Sequence, residues 1–531
     1  MIEVVEVIFG LLLAVAALAL LARKLKIPYP ILLVVGGLLL GLIPGLPRVK
    51  LDPEVVFLFF LPPLLYPAAL FTSWRDFHAN LRPISLLAVG LVLFTTVLVG
   101  LLAHYLIPGL PLAAGFVLGA IVSPPDAIAA TSIAQRLNVP RRIVTILEGE
   151  SLVNDASALV AYRFAVAALV TGAFSLPQAT LRFFIVGLGG ILIGLAVGWL
   201  AAQVHQRLND PPIQITVSIL TPFAGYIASE RLGVSGVLAV VTSGLFLGWR
   251  MPELMDSQTR LQSGPVWEMI QFLLNGFIFI LIGLQLPEVL ASLPHDSVAR
   301  LIYDAVIVSL AVILIRILWV FPATWLPRLL FRSIRERDPI PAWEHVTIVA
   351  WTGMRGVVSL AAAMALPLTL QNGAPFPGRP AILFLTFSVI LATLVLQGLS
   401  LPAVIRWLRV EDDRSAEREE CQARLKANEA ALAQLNTIAN TNSVPVEIVE
   451  RVRIEYDDRI RQLEVCGSDD SEGQRGGLFS SEYEQLATQL LQVERKMILQ
   501  LRNERVINDD VLRIIQRDID LAEARLRQQE A

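Results

Sequence analysis

The sequence predicts an all-α integral membrane protein with about thirteen transmembrane helices and a cytoplasmic helical tail. Hydrophobic residues make up 55% of the 531 residues and charged residues only 17%, and the mean hydropathy is +0.63. Soluble domains are about a quarter charged. Long apolar stretches alternate with short loops as far as residue 409, and the composition becomes strongly charged after Val410. We therefore expect a transmembrane domain at 1–409 and a separate tail at 410–531.

Membrane spans are expected where apolar stretches are long enough to cross a bilayer. A hydrocarbon core of roughly 30 Å requires about twenty helical residues. Such stretches predict spans at 4–22, 29–45, 54–72, 83–107, 111–135, 143–171, 180–204, 213–229, 234–249, 266–286, 301–325, 345–367 and 380–407.

The charges around the first span predict the orientation of the chain. Glu3 and Glu6 precede this span, and Arg23, Lys24 and Lys26 follow it. A secretory signal peptide has the opposite arrangement, so we expect a retained span with its N-terminus outside. Most arginines and lysines of the later loops then fall on the inner side, as the positive-inside rule requires. This predicts a multi-pass protein of the cell membrane with a cytoplasmic tail.

The sixth span contains the sharpest polar motif. Ionisable residues within spans are costly and commonly functional, and this span contains Glu150, Ser151, Asn154 and Asp155. Ser151 and Asp155 are four residues apart and share one helix face, with Asn154 beside them. Their hydroxyl, amide and carboxylate oxygens suit a partly dehydrated alkali cation. The alternative is a hydrogen-bonded packing cluster between helices.

The fifth span is predicted to be broken. Ser123, Pro124, Pro125 and Asp126 lie within it, and two consecutive prolines interrupt a helix. Broken backbone at membrane depth is tolerated where it is buried in protein or lines a cavity, and its freed carbonyl groups can bind a cation. Asp126 lies at this break. It either contributes to an ion site or caps the second half-helix, and the two roles can coexist.

The twelfth span offers a counterpart. Gly353 and Gly356 flank the apolar-embedded Arg355, and Arg316 lies in the eleventh span. The glycines favour unwinding, and both arginines require acidic or carbonyl partners, so we interpret them as structural counter-charges. If spans 1–6 and 8–13 are inverted repeats around the seventh, spans 5 and 12 correspond. Paired broken helices then predict a transporter site where the two cross.

These motifs resemble the monovalent cation–proton antiporter family, which includes the bacterial and eukaryotic sodium/proton exchangers. The stretch from Ser123 to Tyr162 carries the likeness, together with Arg316 and the run Gly353-Met354-Arg355-Gly356, and it extends over residues 1–409. The resemblance implies secondary-active exchange of Na⁺, K⁺ or Li⁺ for H⁺ by a homodimer without a cofactor.

The resemblance also implies the roles of individual residues. The ion- and proton-binding residues would be Asp155, Asn154, Ser151 and Asp126, with the cation itself at Asp155, Asp126 and Ser151. Asparagine at position 154 implies electroneutral exchange. Supporting positions are Glu150, Ser123, Pro125, Arg355, Arg316, Gly353 and Gly356. A core formed by spans 4–6 and 11–13 would move against a scaffold of the other helices. Cation and proton would compete for the Asp155 carboxylate.

Several features depart from this pattern or leave alternatives open. The third-span run Leu61–Pro67 has no acid where many relatives do, and Arg163 lacks an evident partner. A cation channel, or a receptor signalling through its tail, would also explain a polar membrane core. No motif of a membrane enzyme is present, and the net charge of −3 argues against a nucleic-acid partner.

The tail shows helical apolar spacing near 414–437, 444–464, 481–504 and 509–528. This predicts a small helical bundle that regulates the protein or stabilises a dimer, and a solvated segment without such a role is the alternative. Cys421 and Cys466 have no histidines at ligand spacing, so we expect free thiols.

Overall fold

The structure is a computed structural model of the chain, and its described residues are helical apart from loops. No β-strand is present among them, and only an isolated bridge joins Thr369 and Pro375. The structure describes residues 2–25, 27–43, 53–137, 139–171, 176–291, 298–370, 373–410, 415–441, 445–466, 490–498, 500–501, 504, 515–516 and 518–523.

The predicted spans all fall on helices or pairs of half-helices. In chain order these are α1 (Ile2–Leu25), α2 (Tyr29–Gly41), α3 (Val56–Leu70), α4 (Leu81–Leu106), α5a (Leu112–Val122), α5b (Ala127–Arg136), α6 (Arg141–Thr171), α7 (Leu176–His205), α8 (Pro211–Arg231), α9 (Gly236–Leu254), α10 (Ser257–Ala291), α11 (Val298–Leu330), α12a (Trp343–Trp351), α12b (Val357–Met364) and α13 (Arg379–Leu408). Short helices at Trp74–Ala79 and Arg332–Arg337 lie in two of the connections.

Length and composition allow eight membrane crossings within the described residues, counting α5a and α5b as one interrupted span. The helices α2 and α3 are apolar but shorter. The all-helical prediction is confirmed, whereas the number of thirteen crossings stays a prediction. Large apolar side chains are exposed on these helices, for example Phe184, Leu188 and Leu192 on α7. Exposed apolar surface of this extent is suited to lipid rather than water.

Small residues allow the helices to pack closely. A side chain at Gly37 of α2 would overlap the carbonyl oxygen of Ile280 on α10, and one at Gly119 of α5a would overlap that of Thr96 on α4. Packing of this kind is the main source of association between helices in lipid, where apolar burial contributes little. The glycines therefore specify which helices become neighbours around the site.

The described residues divide into two compact units, 1–412 and 413–531. The second contains α14 (Ser415–Thr441) and α15 (Val446–Cys466), which pack against each other. Arg453 of α15 donates a hydrogen bond of 2.9 Å to Asn436 of α14. Cys421 is disulfide-bonded, so the expectation of free thiols was wrong. Much of the predicted third and fourth tail helices lies outside the described residues.

Candidate functional site

The fifth span is broken where its prolines predicted. α5a ends at Val122, and α5b begins only at Ala127. Pro124 and Pro125 lack the N–H group that would continue the helical hydrogen bonds. Asp126 caps α5b, since its Oδ1 accepts a hydrogen bond of 2.9 Å from the backbone N–H of Ile128. The predicted capping role is therefore present, and the second carboxylate oxygen of Asp126 is not used in the cap.

The second break lies against the first. Residues 352–356 are non-helical between α12a and α12b. The backbone N–H of Asp126 donates a hydrogen bond of 2.7 Å to the carbonyl of Met354. A Cβ at Gly356 would overlap the Asp126 carboxylate, and one at Gly353 would press on the side chains of Arg316 and Arg355. Glycine at both positions thus permits the close approach of the two broken helices.

The polar residues of α6 contact the break in the fifth span. Asn154 Nδ2 donates a hydrogen bond of 2.8 Å to the Pro125 carbonyl. Ser151 Oγ accepts a bond of 3.4 Å from the backbone N–H of Ala127. Asp155 is buried, with 7% of its surface exposed. These contacts fix α6 against the break in the fifth span.

Some of the predicted site residues line a cavity of about 650 Å³, and the others do not. Asp126, Ser151 and Asp155 line it together with Pro125 and Gly356. The remaining predicted residues do not line the cavity, namely Ser123, Glu150, Asn154, Arg316, Gly353 and Arg355. Three predicted ion-binding residues and two supporting residues are thus brought to one cavity, whereas Asn154, also predicted to bind the ion or proton, does not line it.

The cavity has a strong excess of acidic side chains. Among the described lining residues the carboxylates are Asp76, Asp126, Glu148, Asp155 and Glu268. Arg141 is the one basic residue of this lining, and its guanidinium pairs with Asp76 at 2.9 Å. A cleft lined by one sign of charge concentrates ions of the opposite sign. The cavity is therefore electrostatically suited to cations.

Sequence reasoning missed three of these acids, Asp76, Glu148 and Glu268. Glu148 lies three residues before Ser151 and seven before Asp155, so helical spacing alone places it on their face of α6. Glu268, four residues before Phe272 of α10, had no such neighbouring motif. The α3 side of the cavity is apolar, with Leu64, Pro67 and neighbouring residues, as expected from the absence of an acid in the run Leu61–Pro67.

Arg316 has an acidic partner on a different helix. Its guanidinium forms two parallel hydrogen bonds to Glu150 of α6, of 2.6 and 2.8 Å. It also donates to the Val349 carbonyl near the end of α12a, at 3.2 and 3.0 Å. Both charged side chains are at most 2% exposed. Arg316 thus joins α6, α11 and α12a through a fully buried, two-pronged ion pair.

Arg355 lies where the two broken helices meet. Its Nε donates a hydrogen bond of 3.0 Å to the Val122 carbonyl at the end of α5a, and its Nη1 donates to the Gly353 carbonyl. Its backbone N–H donates to Thr393 Oγ1 at 3.1 Å. A cation at a helix C-terminus stabilises the negative end of the helix dipole. This is the kind of carbonyl partner expected for a structural counter-charge.

Arg163 also has a partner that the sequence did not indicate. Its Nη2 lies 3.0 Å from both carboxylate oxygens of Glu230. Arg163 is on α6, eight residues beyond Asp155, and Glu230 is near the end of α8. Both side chains are partly exposed, so this ion pair differs from the buried one at Arg316.

The comparisons with known proteins establish the family. The profile described as "Sodium/hydrogen exchanger, transmembrane" matches residues 10–407. The chain belongs to the sodium/hydrogen exchanger family. It is therefore a multi-pass membrane protein of a transporter family.

Relatives of this exchanger family support the assignment over the whole length. An uncharacterized Na⁺/H⁺ exchanger of Mycobacterium tuberculosis is 37% identical over 98% of this chain and 96% of its own. The uncharacterized exchanger YjcE of Escherichia coli is 32% identical over 94% of each chain. A "sodium, potassium, lithium and rubidium/H⁺ antiporter" of Bacillus subtilis is 38% identical over 71% of this chain and 57% of its own.

A solved structure shares the fold. The sodium proton antiporter MjNhaP1 of Methanocaldococcus jannaschii superposes with a TM-score of 0.60 over 76% of this chain and 99% of its own. The two sequences are 20% identical over this match. At that level the likeness concerns the fold, and it agrees with the all-helical exchanger architecture described above.

Proposed function

We propose that this protein exchanges Na⁺, or K⁺ or Li⁺, for H⁺ across the cell membrane by alternating access. The observation that carries the proposal is the meeting of two broken helices beside an acidic cavity that Asp126, Ser151 and Asp155 all line. Membership of the exchanger family supports it, as do the cations named for the relatives.

Asp155 is the proposed shared site for cation and proton. Its carboxylate, that of Asp126 and the Ser151 hydroxyl offer oxygen ligands on one cavity. An uncompensated carboxylate in a low-dielectric interior is unfavourable, so the site crosses the membrane only with a cation or a proton bound. Because either ligand occupies the same oxygens, binding of one releases the other. This competition couples the two fluxes without ATP or a cofactor.

The supporting residues hold the broken helices in place. We assign Glu150 and Arg316 to fixing α6 against α12a, and Arg355 to stabilising the end of α5a. Asn154 holds Pro125 through an amide donor and supplies no titratable group. In our proposal this limits exchange to one cation for one proton.

The orientation and assembly are also proposals. Asp76 and Arg141 line one part of the cavity and lie in regions that the positive-inside rule assigns to the cytoplasm. With that orientation the structure is open inward, and the tail is cytoplasmic. We further propose a homodimer, with the tail regulating exchange or stabilising the dimer.

A channel or a receptor is not favoured by the family assignment. The three functions differ in one measurable property, since only an antiporter couples the movement of a cation to the movement of protons in the opposite direction. A channel would pass cations without this counterflow, and a receptor would pass neither ion.

Everted membrane vesicles with a pH-gradient dye test the proposal. Addition of Na⁺, K⁺ or Li⁺ is expected to move protons in the wild type and to have no effect in Asp155→Asn. Asp210→Asn is the matched control, because Asp210 lies outside the cavity and caps α8, a role that asparagine performs equally well. Equal responses of the wild type and Asp155→Asn would remove Asp155 from the mechanism.

A further inference from the structure

We propose that Glu148 is a cation-attracting residue of the cavity, which sets the apparent affinity for the transported cation without being a ligand in the Asp155 site. This inference rests on the proposed function, because it assumes that a cation reaches Asp155 through this cavity. It assigns to Glu148 a positioning role distinct from the direct binding proposed for Asp155 and Asp126.

The position of Glu148 on α6 supports this role. Glu148, Ser151 and Asp155 follow one another at helical spacings of three and four residues, and all three line the cavity. Seven residues of helix correspond to about 10 Å along the axis. Arg141, the first residue of α6, lies seven residues before Glu148 and pairs with Asp76. Glu148 thus lies midway between that ion pair and Asp155.

The charge of Glu148 is uncompensated in the part of the chain that the structure describes. Its carboxylate has no hydrogen bond or ion pair there, whereas Glu150, two residues further on, is turned to Arg316 and Asp76 is paired with Arg141. Glu148 is half-buried within a membrane span. Charges at such depth persist where they face a water-filled cavity and commonly mark an ion path.

A second, independent observation is an unpaired oxygen acceptor in the same cavity. Asn275 of α10 lines the cavity and is 5% exposed, and its Oδ1 has no hydrogen-bond partner among the described residues. A buried acceptor without a donor is normally satisfied by water or an ion. Glu268 and Gln271 precede it on α10 at spacings of seven and four residues and also line the cavity. Oxygen acceptors are thus present on two helices.

The distance determines which kinetic quantity Glu148 affects. The backbone positions of Glu148 and Asp155 are about 10 Å apart along α6, and a ligand oxygen lies within about 2.5 Å of a hard cation. In this proposal Glu148 therefore does not bind the ion held at Asp155. A fixed charge at about 10 Å still raises the local cation concentration, and salt screens it, since the Debye length is about 8 Å at physiological ionic strength. Glu148 should therefore lower KM for the cation and leave the maximal rate nearly unchanged.

The experiment measures proton movement in liposomes containing the full chain while the Na⁺ concentration is varied at low and at high choline chloride. For Glu148→Gln we expect KM to rise on the order of fivefold at low ionic strength, with a maximal rate within about twofold of the wild type and a smaller KM difference at high salt. Glu148→Asp should restore most of the affinity. Glu253→Gln is the control, since Glu253 is exposed and outside the cavity.

The outcomes separate this inference from the proposed function. No exchange by the wild type would overturn the proposed function and this inference with it. Normal wild-type exchange combined with an unchanged KM for Glu148→Gln would overturn only the inference. A lower maximal rate with unchanged KM would also overturn it, because a structural or proton-carrying role acts in that way. Size-exclusion profiles of the solubilised variants show whether each one is folded.

Discussion

At the scale of single residues, the crossing of the two broken helices depends on the absence of a side chain at Gly356. A Cβ there would overlap the Asp126 carboxylate, which caps α5b. The three atoms nearest to that Cβ position are Oδ2, Cγ and Cβ of Asp126 itself, so a methyl group there requires the whole Asp126 side chain to move. Gly356 is therefore as necessary to the geometry of the proposed site as the acids that line the cavity.

Gly356→Ala is expected to reduce exchange at least tenfold, because Asp126 must leave its position. A displacement of about 1 Å can cost a hundredfold in a reaction that depends on alignment. Initial rates in liposomes measure the effect. Gly264→Ala is the matched control, since a Cβ at Gly264 meets nothing within 4 Å and alanine favours the helix. Wild-type rates for Gly356→Ala would show that Asp126 need not stay where it is.

The residues of the site differ in how far the sequence could indicate them. Asp126, Ser151 and Asp155 were predicted because a proline break and helical spacing are local patterns. Glu148 has the same helical spacing but was not predicted, because it lies outside the run of polar residues from Gly149 to Asp155. Asn275 could not be assigned, since its importance comes from an unsatisfied oxygen in a cavity that only the folded chain forms.

At the scale of secondary-structure elements, two ion pairs join helices that are distant in the sequence. Glu150 and Arg316 are separated by 166 residues and are completely buried. Removal of one partner from a buried pair leaves an uncompensated charge and lowers the free energy of unfolding by about 3–5 kcal/mol. Replacing both partners with uncharged residues can leave the stability almost unchanged.

Arg316→Met alone is therefore expected to lower the unfolding temperature and yield of the solubilised protein strongly. The double variant Glu150→Gln, Arg316→Met should recover much of the loss, because no unpaired charge remains. Thermal unfolding followed by size exclusion measures both. If the double variant were less stable than Arg316→Met, the buried pair would not be coupled in this way.

The pair between Arg163 and Glu230 joins α6 to α8. In the proposed mechanism α6 belongs to the moving core and α8 to the scaffold, so this contact must break during each cycle. Partly exposed ion pairs contribute about 0–1 kcal/mol. The pair is thus weak enough to open, and it would favour the conformation described here.

Glu230→Gln is expected to change the maximal exchange rate by no more than about fivefold, with little change in thermal stability. Arg163→Gln should have the same effect, and the double variant should match either single variant. A double-mutant cycle on rates in liposomes provides the measurement. Simple multiplication of the two single effects would mean that the residues act independently.

At the scale of the whole molecule, one aspartate ties together three helices of the proposed core. Asp338, in the connection between α11 and α12a, pairs with Arg82 of α4 at 3.2 Å, Arg142 of α6 at 2.7 Å and Arg328 of α11 at 2.6 Å. Partial burial alone would raise the pKa of Asp338. The hydrogen bond from Arg142 and the charges of Arg142, Arg328 and Arg82 outweigh it and leave the pKa below its usual value.

The lowered pKa determines how stability depends on pH. A carboxyl group with a lower pKa in the folded state stabilises the fold above its unfolded pKa, about 3.9, and loses this contribution as the pH falls through the folded value. We expect Asp338→Asn to lower the unfolding temperature equally at pH 6 and pH 8, with a smaller difference below pH 4. A difference that varied between pH 6 and pH 8 would contradict this assignment.

The sequence by itself determined the membrane class, the positions of the helices, both broken spans and the motif of α6, because hydropathy, proline and helical spacing act locally along the chain. Only the tertiary structure decided which helices meet. It paired Arg316 with Glu150 and Arg163 with Glu230, set Asp126 against Met354, and placed Glu148 and Asn275 on one cavity. Helical periodicity specifies the face on which a side chain lies, but the neighbour of that face depends on close packing between segments far apart in the sequence.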